Sequence, residues 1–222
     1  MATRGRPGPR RTLTEDELLT AALQLLDEGG QASIRGIAAK VGVAPNAVYT
    51  YFPDKSAVVA ALVEKLLGDA DSGGFADETL PWRDRIEALA LDVRTNLVAH
   101  PGAGALLMSG PMDGPRTTDL NERLLGLLID AGIDPVEAAR STYLLIVYVL
   151  GSIALEVSDE TDPGPLPSED VRVARRRATY EQIPAEVFPR SAAAVPTMAR
   201  FVTTEQYLWG LHRILDGITG DE

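Results

Sequence analysis

Eight residues between positions 33 and 55 have side chains that could do chemistry together: Ser33, Arg35, Pro45, Asn46, Tyr49, Thr50, Tyr51 and Lys55. The chemistry is recognition rather than bond making. An arginine near a helix start can reach a guanine edge or a phosphate, an asparagine can pair with adenine, and a threonine can touch a thymine methyl. Tyrosine and lysine reach phosphates and set register. Arg4, Arg6, Arg10 and Arg11 lie in a Pro- and Gly-rich start without acid, suited to contacts with a nucleic-acid backbone or minor groove. A catalytic reading finds little. The chain has no cysteine and only two histidines, His100 and His212. It shows no nucleophile motif, no Gly-rich phosphate loop and no metal-ligand cluster, so no catalytic residue, metal or cofactor is expected.

The elements that must hold these residues are short helices. Ser33 caps one whose apolar face is Ile34, Ile37, Ala38 and Val41. Gly42 stops it, because a sharp turn needs the left-handed backbone that glycine tolerates. A second helix opens near Pro45, with Val48 and Phe52 inward and Pro45, Asn46, Tyr49 and Thr50 outward. Two helices around a glycine turn are a helix-turn-helix, whose second member enters the major groove of DNA. Thr14 and Glu17 form a capping box for a preceding helix bearing Leu18, Ala22, Leu25 and Leu26. Asp54 caps a following helix that runs to about Gly68.

The rest also reads as helix, giving an all-α chain with no internal repeat. The expected division is a basic arm over 1–12, a DNA-binding head over 13–67 and a helical body over 68–222, with 68–81 as a polar connection. A short helix is expected over 103–108. The formal net charge is −11, yet residues 1–70 hold eight basic and eight acidic side chains. All excess acid therefore lies in the body, which leaves a basic arm and neutral head for a polyanion. The helix over 135–157 is apolar almost all round. It is short and interrupted for a membrane span, which takes about 20 apolar residues, so it should be buried on every side, one face lining the core and the other meeting a partner subunit. The last helix, 203–217, carries Tyr207, Leu208, Leu211, Ile214 and Leu215 on a face that nothing later in the chain can cover. The two helices together suggest an intersubunit four-helix bundle. Arg172, Arg175, Arg176 and Arg177 read as a solvated face. Pro184, Pro189 and Pro196 should fragment the segment around them. The lack of cysteines and of a secretory signal suits the cytoplasm.

The pattern Ile37-Ala38, Gly42-Val43, Val48-Tyr49-x-Tyr51-Phe52-x-x-Lys55 resembles the DNA-binding head of the tetracycline-repressor (TetR) family, over roughly residues 12–67. The family commonly has histidine at the position of Tyr51. The closing segment 207–217 is similar to the end of the helical ligand-binding domain in the branch that contains the tetracycline repressor itself. The resemblance implies a homodimer, joined through the helices at 135–157 and 203–217, that binds a double-stranded operator. It implies a repressor, released by a small-molecule effector held in the helical body. By position, His100, Met108, Met112, Tyr143 and Tyr148 are the candidates to touch that effector. An activator could use the same head, and a helical enzyme with a vestigial head or a structural adaptor are the alternatives from other classes.

Overall fold

The structure, a computed structural model, describes residues 13–69, 73–104, 110–158 and 164–218. The arginines of the arm and Met108 lie outside them. Among the described residues there are ten α-helices and no strand: α1 Glu15–Asp27, α2 Ile34–Val41, α3 Pro45–Tyr49, α4 Lys55–Gly68, α5 Trp82–Ala99, α6 Pro115–Asp130, α7 Pro135–Ser158, α8 Glu169–Tyr180, α9 Pro189–Met198 and α10 Thr204–Ile218. A 3-10 turn, Pro101–Ala103, follows α5. The rest of the helix expected over 103–108 falls outside the described residues.

The head assembles as its sequence implies. Thr14 and Glu17 close a reciprocal capping box at α1, each bond 3.2 Å. Ser33 accepts from the backbone N–H of Gly36 at 3.1 Å, and Asp54 accepts from Ala57 at 2.9 Å. Gly42 sits at φ 75°, and the following N–H of Val43 bonds back to Ala38 at 2.9 Å. Leu18, Ala22, Ile37, Val48, Phe52 and Val58 are buried between these helices. Helix α4 then continues out of the head, and Leu62, Leu66 and Leu67 bury its far end.

The body departs from expectation in five places. The connection over 68–81 is anchored rather than merely polar: Phe75 is buried, Arg123 lies over its ring at 4.7 Å, and Arg85 bonds its carbonyl at 2.8 Å. Helix α10 is covered by its own chain. Tyr207, Leu211 and Leu215 are buried, and the Tyr207 hydroxyl donates to the Ala90 carbonyl of α5 at 2.9 Å. The earlier helices α5 and α7 fold back over it. Helix α7 is long and apolar enough to cross a membrane by length and composition. Its face through Ala138, Thr142, Leu145 and Ile153 is buried, while Tyr143, Leu144, Val147 and Leu155 stand exposed. Within one chain it is thus buried on one face and exposed on the other, although its length was expected to fall short of a span. Pro189 opens α9 and Pro196 sits inside its last turn, where a missing N–H removes only one bond before the helix ends. Lastly, Arg172 is not solvated. It is buried and donates to Glu156 at 2.7 Å, because α8 packs against a carboxylate that α7 carries inward.

Candidate nucleic-acid interface and ligand cavity

Helix α3 displays its polar residues because Val48 and Phe52 use up its inward side. Pro45, Asn46, Tyr49 and Thr50 are exposed, with Tyr49 half open to solvent. The Asn46 amide has no hydrogen-bond partner among the described residues. Thr50 donates its hydroxyl back to the Asn46 carbonyl at 3.2 Å, which leaves its methyl outward. Ser33 is committed to capping α2. Tyr51 is exposed, but its hydroxyl donates to the Leu13 carbonyl. The tyrosine thus ties the turn after α3 to the segment that leads into α1, and its proton is not directed at a phosphate.

The cations of the head fall into two sets. Lys40 pairs with Glu28 at 2.5 Å, and Lys65 with Asp16 at 2.7 Å and Asp69 at 2.8 Å. Burial lowers the affinity of Lys65 for its proton, but the two carboxylates outweigh burial and hold its pKa above the ordinary lysine value. Among the described residues Arg35 and Lys55 are exposed and have no such partner. Lys55 is the first residue of α4, where the helix dipole disfavours a cation. An anion at that helix start, bound by the free N–H groups as well as the ammonium, removes the conflict.

A second site lies in the body, a partly open cavity between α4, α5, α6 and α7 with a volume of about 240 Å³. Leu67 contributes from α4, and Ile86, Leu89 and Val93 from α5. Leu145, Ile146, Val149 and Leu150 form the wall from α7. Helix α6 contributes Leu120 and Leu124 together with Thr117, Thr118 and Asn121. Of the described residues expected to touch an effector, only Met112 lines this space. Tyr143 points out from α7 and is 70% exposed. Tyr148 stacks on Tyr207 with centroids 5.9 Å apart and donates to the Tyr207 carbonyl at 2.7 Å. Burial raises the pKa of both phenols. His100, past the end of α5, reaches Asp27 of α1 at 2.8 Å and joins head to body. The residues missed were Thr117 and Asn121, whose sequence signal is two polar residues in register with Leu120 and Leu124 on one helical face.

Head and cavity share a joint. Glu64 of α4 accepts from the backbone N–H groups of Arg116 at 2.7 Å and Thr117 at 3.2 Å, and from the Thr117 hydroxyl at 2.5 Å. It thereby caps α6, whose own cap residue, Gly114, has no side chain to do so. A Cβ at Gly114 would collide with the Glu64 carboxyl, so glycine is what lets α4 supply the cap. Burial raises the carboxyl pKa, but the Thr117 hydroxyl and the two backbone donors outweigh it and hold Glu64 below the usual carboxylate range. One turn further along α4, Leu67 lines the cavity.

These features have counterparts in known proteins. Residues 18–62 match the family described as bacterial regulatory proteins, tetR family, and residues 75–221 match the tetracyclin repressor-like C-terminal domain. The HTH-type transcriptional repressor DrrR1 of Streptomyces coeruleorubidus is 25% identical over 95% of this chain and 79% of its own length. The class A tetracycline repressor from transposon 1721 of Escherichia coli is 26% identical over 93% of this chain and 90% of its own. The crystal structure of a possible TetR family regulator from Streptomyces coelicolor A3(2) superposes with a TM-score of 0.77 at 27% identity, covering 92% of this chain and 98% of that one. With an exposed recognition helix at one end, a cavity at the other and family models matching both halves, the chain belongs to the TetR family of DNA-binding transcriptional regulators.

Proposed function

We propose that this regulator is a cytoplasmic homodimeric repressor, not an enzyme, that leaves its operator when a small molecule occupies the cavity between α4, α5, α6 and α7. The observation that carries this reading is the Glu64 cap, which ties the helix leaving the DNA-binding head to the helix that walls the cavity. An occupant that displaces α6 displaces the cap and with it α4. Differential affinity for the two positions of α4 is what shifts the population away from the DNA-binding spacing. Each head, residues 13–67, would read one half-site of a pseudo-palindrome, with Arg35, Asn46 and Thr50 toward bases and Tyr49, Lys55 and the arm toward phosphates. The exposed stripe Tyr143, Leu144, Val147 and Leu155 of α7, with Trp209 of α10, would meet its symmetry mate. Repression is favoured over activation by the relatives, which include a transcriptional repressor and a tetracycline repressor.

The test is a gel shift of the purified protein on the DNA upstream of its own gene, with sedimentation in parallel. The expected result is a dimer that shifts one palindromic fragment. A folded dimer that selects no genomic fragment ends the reading. Leu144→Glu should sediment as a monomer and lose the shift.

A further inference from the structure

The lining of the body cavity restricts what can occupy it. Among the described residues twelve apolar side chains line it, three polar ones join them, and none is charged. All three polar groups, Thr117, Thr118 and Asn121, lie on α6, so the walls from α5 and α7 are apolar throughout. Two of the three are already committed. Thr117 donates its proton to Glu64 at 2.5 Å and Thr118 donates to the Gly114 carbonyl at 2.9 Å. Each keeps only lone pairs for a ligand. The half-buried Asn121 has no hydrogen-bond partner among the described residues and offers both amide donors and a carbonyl acceptor.

An ion moved into this space would give up part of its hydration with no opposite charge on the lining to replace it. A metal chelate meets the same objection, since among the described residues no His, Cys, Asp or Glu side chain lines the cavity to complete its coordination. We infer that the cavity selects a neutral, largely apolar small molecule with one polar end, a hydroxyl or carbonyl seated on Asn121. A ligand hydroxyl there can also donate to the Thr117 oxygen, the atom through which α6 holds Glu64. The inference rests on the effector reading above and names the ligand class of that site.

The test uses matched probes on the full-length protein. N-phenyl-1-naphthylamine is neutral, and 8-anilinonaphthalene-1-sulfonate adds one anionic group to the same skeleton. The neutral probe should bind saturably, one per chain, and the sulfonate about a hundredfold more weakly. Ile146→Trp, which fills the cavity from a half-buried position, should abolish neutral-probe binding. As competitors, 1-naphthol should displace the probe about tenfold better than 1-methylnaphthalene. Asn121→Leu should erase that preference while still binding the neutral probe, which also shows that this variant is folded. Equal binding of the sulfonate at the Ile146→Trp-sensitive site, an unchanged preference in Asn121→Leu, or probe binding indifferent to Ile146→Trp each overturns the inference. The same samples carry labelled operator. If the neutral probe fills the cavity and the operator stays bound, the effector reading fails while the ligand class stands. If only a charged molecule or a magnesium chelate of tetracycline releases the operator, the ligand class fails while the effector reading stands.

Discussion

Arg35 in the head and Arg94 in the body are the same side chain in opposite circumstances. Arg35 is exposed and, among the described residues, has no acid beside it. Arg94 is buried and holds Glu156 through two bonds, of 3.0 and 2.7 Å, with Glu169 and Thr204 completing its shell. Glu156 also takes Arg172, so two guanidinium groups share one carboxylate that solvent does not reach. Helix α4 repeats the contrast along its own length. Lys55 at its start is open, and Lys65 near its end is clamped by two aspartates. In the body charge is consumed in fixing helices to each other. In the head part of it is left open to solvent, which leaves binding capacity for a polyanion.

Breaking the buried side of this comparison should have the largest effect. Glu156→Ala strands Arg94 and Arg172 without their shared carboxylate, and removing one partner of a buried pair costs about 3–5 kcal/mol. Urea unfolding would show it; a loss within experimental error would mean that water reaches the pair and that the body holds its charges as loosely as the head. On the exposed side, Asn46→Ala should leave folding unchanged and relax discrimination at one operator position by about 1–3 kcal/mol. Selection from a randomised operator measures this, and an unaltered consensus would remove Asn46 from the base-reading set. Lys55→Ala should weaken all sequences alike and reduce the slope of log affinity against log salt by about 1. It should stabilise the free protein slightly, since a cation leaves a helix start. Lower stability together with an intact salt slope would contradict the idea that Lys55 is kept for DNA.

The smallest expected effect is at the joint. Glu64 has a depressed folded-state pKa, so the unfolded chain binds more protons as the pH falls. Its contribution is present above the ordinary glutamate pKa, about 4.3, and is lost as the pH drops through the lower folded value. Glu64→Gln should therefore cost about 1 kcal/mol or less at neutral pH, the range of a helix cap. The gap should close in acid. Unfolding of both proteins at neutral and acidic pH tests this, and a gap independent of pH would show that charge plays no part in the cap.

What could be read from the sequence divides along the same line. The head was legible because its devices are local. Thr14 to Glu17, Ser33 to Gly36, Gly42 and Asp54 to Ala57 each act within four residues, and the outward set on α3 follows from the inward pair Val48 and Phe52. The body was legible as helices and not as a site. Position along the chain points to Tyr143, Tyr148 and His100, but which face of α7 turns inward and where α5 ends depend on packing. Glu64 is an ordinary helical glutamate until Gly114, fifty residues on, brings an uncapped helix start against it.

The sequence by itself determined the all-helical class, the boundaries of most helices and the chemistry of the recognition surface, because capping, periodicity and turn geometry are short-range. Only the tertiary structure decided which charges are buried, that α10 is covered by α5 and α7, and that a cavity with no charged lining among the described residues sits one helical turn from the cap joining it to the head. Those outcomes rest on contacts between residues 16 to 132 positions apart, which the pattern of neighbours along the chain does not encode.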